Sequence, residues 1–168
     1  GEINFFEKTS DNTVTANYLS NLKPFNKRNK DIVAEVQSVS ICDSQGKQIE
    51  NLNIFTPTQI KIIYDVYDDT IDEPVLGVAL KRVDDEYICG VNTLLDHVKI
   101  PWRYGRNSFS LIYKNGIRVL GGIYYLDVAL FDKTATVPIH YWAKIKEFTV
   151  TADYIGEGIC IIPHEWSK

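Results

Sequence analysis

The chain lacks methionine altogether, holds only three cysteines, and has no apolar run near the roughly 18 residues needed to span a bilayer as a helix. Starting at Gly1 without a methionine anywhere, it reads as an excised or processed piece of a longer polypeptide. No secretory-signal pattern and no N-x-[ST] sequon is present. Cys42, Cys89 and Cys160 are odd in number, far apart, and each embedded in an apolar stretch. With no Cys-x-x-Cys and no Cys/His cluster, no structural zinc site is expected, and buried reduced thiols of a cytosolic protein are.

Several chemistries are missing as well. There is no Gly-x-x-x-x-Gly-Lys-[ST] phosphate loop and no Gly-x-Ser-x-Gly nucleophile elbow, and the spacing of His97, His140 and His164 supports no triad. The glycines of Gly116–Gly122 fall in a hairpin and strand rather than before a helix, so they do not cradle phosphate. A basic excess is also absent, with net charge -4 and pI about 5.4, which argues against nucleic acid as a partner. The one basic cluster, Lys23, Lys27, Arg28 and Lys30, is expected in a solvated linker or helix end. No catalytic role and no cofactor is expected of this fragment.

What the chain does have is tyrosine, 10 residues of it, and β patterning nearly throughout. Residues 1–31 are polar and rich in Asn and Lys, with Tyr18, Leu19, Leu22 and Phe25 at short-helix spacing, and are expected as a linker or short helix. Residues 32–168 are expected as one domain, an all-β antiparallel β-sandwich. Its strands run over about 33–42, 47–55, 59–68, 75–83, 87–93, 107–114, 117–131, 141–151 and 158–162. Gly46 suits a turn position with φ > 0, and Asn115-Gly116 predicts a hairpin joining its two flanking strands. The acidic groups Asp68, Asp69, Asp72, Glu73 and Asp84, Asp85, Glu86 coincide with turns, where aspartate caps local backbone, and calcium is the alternative use of them.

Alternation supplies the candidate site. With Ile60, Ile62, Tyr64 and Val66 facing the core, Lys61, Ile63, Asp65 and Tyr67 face outward; with Tyr124, Leu126, Val128 and Leu130 inside, Ile123, Tyr125, Asp127, Ala129 and Phe131 face outward. Tyrosine faces interspersed with Asp and Lys suit a sugar, whose C–H groups stack on the ring while hydroxyls bond the charged groups. Lys61, Asp65, Tyr67, Tyr125, Asp127, Phe131 and Trp142 are therefore the candidate carbohydrate-binding residues; packing under a loop, the N-terminal segment or a partner subunit is the competing use of these faces. His140-Tyr141-Trp142 and the loop residue Trp102 are further candidates for a pocket edge.

The order of segments resembles one family. Ala34–Ile41 followed by Asp43-Ser44-Gln45-Gly46, then Ile60–Tyr64, Pro74–Leu80, Val91-Asn92-Thr93, Gly122–Val128 and Phe148-Thr149-Val150 appear in its order. Gly156-Glu157-Gly158 then leads through Ile159–Ile162 to Pro163-His164-Glu165-Trp166. Together these are similar to the C-terminal carbohydrate-binding domain of Wzt, the ATPase subunit of O-antigen polysaccharide ABC transporters. Thr56-Pro57-Thr58 and the Asp84-Asp85-Glu86 turn depart from it by lacking a usual glycine. The resemblance implies a β-sandwich of jelly-roll or immunoglobulin-like kind, commonly a homodimer, with the last strand exchanged between subunits in some members. It further implies non-catalytic binding of an O-antigen glycan, at its modified non-reducing end, in the cytoplasm at the inner face of the inner membrane, beside a membrane permease subunit that the parent chain engages. The alternative is a glycan-binding or dimerisation module fused to a glycosyltransferase or methyltransferase. Ile159, Ile161 and Ile162 are expected to pack a final strand that Trp166 anchors.

Overall fold

A computed structural model describes residues 31–167 of the chain. The helix expected at Tyr18–Phe25 and the basic cluster after it lie outside these residues. Among the described residues eight strands form: β1 Ala34–Cys42, β2 Asn51–Asn53, β3 Thr58–Val66, β4 Val75–Arg82, β5 Tyr87–Asn92, β6 Gly105–Tyr113, β7 Gly122–Phe131 and β8 Pro138–Thr151. They build a three-stranded sheet of order β1-β3-β6 and a five-stranded sheet of order β2-β8-β7-β4-β5. Every pairing is antiparallel except that of β2 with β8.

The inner faces follow the hydrophobic alternation. Ile60, Ile62, Tyr64 and Val66 of β3 meet Tyr124, Leu126, Val128 and Leu130 of β7, with Leu76, Val78 and Leu80 of β4 and Phe148 and Val150 of β8 beside them. Each large side chain so buried contributes roughly 1.5–3 kcal/mol. In β1 the core positions switch from Ala34 and Val36 to Val39 and Ile41, because a bulge between Val36 and Ser38 inserts one residue. At the foot of β7 the Tyr124 hydroxyl donates to the Leu120 carbonyl at 2.7 Å, closing a tyrosine corner of the kind that ties sandwich strands to their entry loops.

Three connections differ from the sequence expectation. Asn115-Gly116 makes a turn, with Gly116 at φ 74°, but β6 and β7 do not pair across it: they belong to opposite sheets. A side chain at Gly116 would strike the Ile54 carbonyl, and beyond it Ile117 and Val119 dive into the core, so the turn crosses between sheets instead of closing a hairpin. The return from β1 is similar. Asp43 and Gly46 form the expected turn, Gly46 at φ 79°, and Ile49 bonds Ile41, but the chain then leaves for β8 on the other sheet. The last stretch forms only a bridge of Cys160 to Val119, with Leu120 N–H donating to Ile159 O and Ile161 N–H to Arg118 O. Ile162 and Trp166, expected to pack and anchor it, are exposed, Trp166 at 89%.

Cys42 is buried as expected, whereas Cys89 and Cys160 are exposed, one on the edge strand β5 and the other in the terminal stretch. The acidic turns are occupied with local bonds: Asp68 caps Thr70 N–H at 3.0 Å, and Asp84 holds Arg82. Among the described residues no three His, Cys, Asp or Glu side chains converge as ligands for a metal ion. No helix of the described residues is long and apolar enough to cross a membrane.

Candidate functional site

The outer face of the five-stranded sheet can be laid out row by row from its register. Asn92, Gly77, Ala129 and Tyr141 lie abreast on β5, β4, β7 and β8; the next row is Gly90, Ala79 and Asp127; the third is Tyr87, Lys81, Tyr125 and Glu147. Phe131, opposite Val75, closes the far end. The two central rows thus carry no side chain larger than a methyl group except at Asn92, Asp127 and Tyr141. Four small residues sunk among tyrosines make a trough of about 400 Å³, within the range typical of ligand pockets.

Its walls are aromatic. Tyr87 and Tyr141 are 59% and 52% exposed and stand on strands three apart, roughly 14 Å between strand axes. The Phe131 ring lies over Gly77, where a β-carbon would press on it, and the Tyr87 hydroxyl reaches over Gly90, where a β-carbon would collide with it. Glycine at these two positions gives the rings room to lie on the sheet.

Asp127 organises the polar end. Its carboxylate is 1% exposed and accepts from Lys81 Nζ at 2.7 Å, from the Tyr141 hydroxyl, and from the Lys144 backbone N–H at 2.7 Å. Burial by itself would push this carboxyl up; the Lys144 amide, Lys81 and Tyr141 outweigh it and hold the group below its ordinary value. The Lys144 bond also explains an irregularity of β8. Between Trp142, opposite Val128, and Lys146, opposite Leu126, the strand bulges, and Lys144 takes a left-handed φ of 51°. That bulge directs the Lys144 ammonium to Asp85 at 2.7 Å and over the Tyr125 ring at 5.2 Å from its centroid.

With its oxygens so engaged, Asp127 positions other groups more than it meets a ligand. Lys81 keeps an ammonium hydrogen beyond those shared with Asp127 and Tyr141, and Tyr141 keeps its ring face. Asn92 uses its Oδ1 to accept from Leu95 N–H at 2.9 Å, a bond that leaves the NH₂ group uncommitted. The trough therefore offers aromatic faces, donors and an apolar floor, which is what a pyranose presents contacts for, and no nucleophile–base pair.

The seven residues picked from the sequence fall in three places. Asp127 and Phe131 line the trough, and Tyr125 stands in its third row under Lys144. Lys61, Asp65 and Tyr67 belong to the outer face of the other sheet. There Asp65 is 1% exposed and is gripped by Arg106 through two bonds of 2.8 Å, while the Tyr67 hydroxyl faces Glu35 at 3.5 Å. Trp142, opposite the core residue Val128, sits on the inner side of β8, edge-on to His140, whose Nδ1 accepts from Val36 N–H of β1.

Lys81, Tyr87, Asn92 and the small residues of the floor were not among those seven. A signal for them existed: Leu76, Val78 and Leu80 alternate as plainly as β7 does, which turns Gly77, Ala79 and Lys81 outward. The missing step was to read small residues as space.

The Wzt C-terminal domain family matches the chain over residues 26–162. Among solved structures, the C-terminal domain of Wzt superposes with a TM-score of 0.71 at 15% identity, covering 81% of this chain and 84% of that one. A β-glucosidase from Listeria innocua in complex with glucose is similar at a TM-score of 0.39 and 10% identity, over 70% of this chain and 15% of that chain. The CARDB domain of the PF1109 protein from Pyrococcus furiosus, in complex with di-metal ions, gives 0.37 and 11%, over 77% and 98%. No curated protein matches this chain. The TM-score of 0.71 shows the sandwich fold, and because the family match takes in every strand of the described residues, the chain belongs to the Wzt C-terminal domain family.

Proposed function

We propose that this domain is a non-catalytic carbohydrate-binding module that holds an O-antigen polysaccharide for export by an ABC transporter, with the trough on the five-stranded sheet as its binding face. The observation that carries this is the floor of Gly77, Ala79, Gly90 and Ala129 between Tyr87 and Tyr141. A sugar seated there has an aromatic wall on either side and the Lys81 ammonium at one end. Family membership supports the transporter setting: a parent chain with an ATPase domain, a membrane permease subunit beside it, and a place at the cytoplasmic face of the inner membrane. The glycan's modified non-reducing end is the stretch that fits a closed-ended trough, with Phe131 as the stop.

The exposed Ile155, Ile162 and Trp166 support a homodimer formed through the C-terminal stretch, whose short pairing with Arg118–Leu120 leaves it easy to exchange. Two copies would raise a weak single-site affinity through bivalent engagement of one polymer.

The test is calorimetric titration with O-polysaccharide from the source strain. Saturable binding that Tyr141→Ala and Tyr87→Ala each weaken, with Lys61→Ala unchanged, is the expected result. Absence of saturable binding, or equal loss from Lys61→Ala, would overturn the assignment of this face. Light scattering of the intact domain and of a variant ending at residue 153 checks the dimer separately.

A further inference from the structure

Beside the trough, across a single turn, lies a second and larger depression of about 480 Å³, formed where the β3–β4 and β5–β6 connections meet at one end of the sandwich. The turn between them is Asn92–Val98. Asn92 Oδ1 and O hold the amides of Leu95 and Asp96, Leu94 O holds His97 and Thr93 O holds Val98. Thr93 bonds β4 twice, its N–H to Leu76 O and its hydroxyl to Leu76 N–H. A ridge so pinned is rigid before any ligand arrives, yet it displays leucine on both flanks: Leu95, 69% exposed, toward the trough, and Leu94 toward the second depression.

The depression itself is amphipathic. Trp102, stacked on Tyr64 with centroids 6.2 Å apart, and Ile100 supply apolar wall. Asp69, Asp72 and Glu73 supply acceptors, with Lys99 bound to Glu73 at 2.8 Å. Among the described residues, the one buried side-chain nitrogen or oxygen without a hydrogen-bond partner is Trp102 Nε1 in this wall. An orphaned indole donor is destabilising, and an incoming acceptor would relieve it once the ring tilts from Tyr64.

We propose that this second depression continues the glycan path, so that the domain grips a stretch of several neutral sugars crossing the Asn92–Val98 ridge and not the terminal residue alone. The inference rests on the reading of the trough above. The chemistry is complementary: the trough offers donors, the second depression acceptors, and a polyhydroxylated chain uses both. Three carboxylates against one lysine in its lining disfavour an acidic polymer.

The test uses O-polysaccharide of the source strain, partially hydrolysed and size-fractionated. The protein carries Trp142→Phe and Trp166→Phe, which leave Trp102 as the sole tryptophan of the original three. Long fractions should bind on the order of tenfold tighter than the shortest fraction that binds, and should shift Trp102 emission. Leu94→Ser with His97→Asn should remove that gain and leave the short fraction's affinity unchanged. Both positions are exposed, and asparagine accepts the left-handed backbone of His97, φ 55°. Equal affinity for short and long fractions, or an unmoved Trp102 emission while Tyr141→Ala weakens binding, overturns the second depression and leaves the trough standing. No saturable binding by any fraction overturns both.

Discussion

The two sheets each carry a buried aspartate on the outer face of a central strand, and only one of them lies in a trough. Tyr64-Asp65-Val66 of β3 and Leu126-Asp127-Val128 of β7 read alike: an acid between core residues, both aspartates 1% exposed. Across the ladder from Asp65 stands Arg106, whose guanidinium spans it in a fork and fills the space above. Across from Asp127 stands Ala79, with Gly90 beyond it. The same residue is a cross-strand ion pair where its neighbours are long, and the keystone of a depression where they are small. Neighbour volume, more than the acid itself, decides which face can take a ligand.

Removing the two acids breaks or sharpens that contrast most strongly. Asp65→Ala and Asp127→Ala should each destabilise the domain by about 3 kcal/mol, toward the low end for a severed buried pair because Arg106 and Lys81 keep some solvent contact. In urea melts the two should look similar. In glycan titration they should not: Asp127→Ala frees Lys81, Tyr141 and the β8 bulge and abolishes binding, whereas Asp65→Ala, assayed well below its unfolding midpoint, binds as the parent does. Equal binding losses would mean that the faces do not differ.

A second change acts on volume alone. Ala79→Leu plants a branched side chain in the middle row of the trough, where Gly90 and Asp127 flank it. It should cut glycan affinity at least tenfold while moving stability by no more than about 0.5 kcal/mol, the usual range of surface substitutions. Below that in size come the walls. Tyr87→Ala and Tyr141→Ala should each cost about 1 kcal/mol of binding, the scale of one aromatic stacking contact.

The β-sandwich and its core were legible because alternation survives in one dimension: Ile60, Ile62, Tyr64, Val66 and Tyr124, Leu126, Val128, Leu130 needed only a period of two. Which strands pair was not. Asn115-Gly116 has the chemistry of a hairpin, but the space around Gly116 and the burial of Ile117 and Val119 send the chain to the other sheet, and a turn dipeptide carries no information about what lies beyond it. The site was half legible for the same reason. Asp127 and Phe131 announce themselves on β7, but a depression is made by what is missing on β4 and β5, and its members meet only through register. Trp142, by contrast, shares the inward parity of Phe148 and Val150 on its own strand and pairs with the core residue Val128, so it lies apart from Asp127.

The smallest effect separates the inner side of β8 from its outer side. His140 and Tyr141 are adjacent in sequence and point to opposite faces, His140 accepting from Val36 N–H at 3.2 Å and Tyr141 donating to Asp127. Burial lowers the His140 pKa below 6.5, against a weaker upward pull from Glu35. A base with a depressed folded pKa binds fewer protons folded than unfolded, so its contribution to stability is complete above pH 6.5 and is lost as the pH falls through the lower folded value. Protonation also removes the lone pair that receives the Val36 amide, a bond worth about 1 kcal/mol. Denaturation midpoints measured from pH 7.5 to 5 should therefore decline slightly in the parent and less in His140→Phe. Glycan affinity over the same interval should stay flat, because Asp127 on the other face is held ionised far below it. A parallel fall in both would show that the faces of β8 are coupled, and the trough would then owe its shape to the β1–β8 contact as well as to its own small residues.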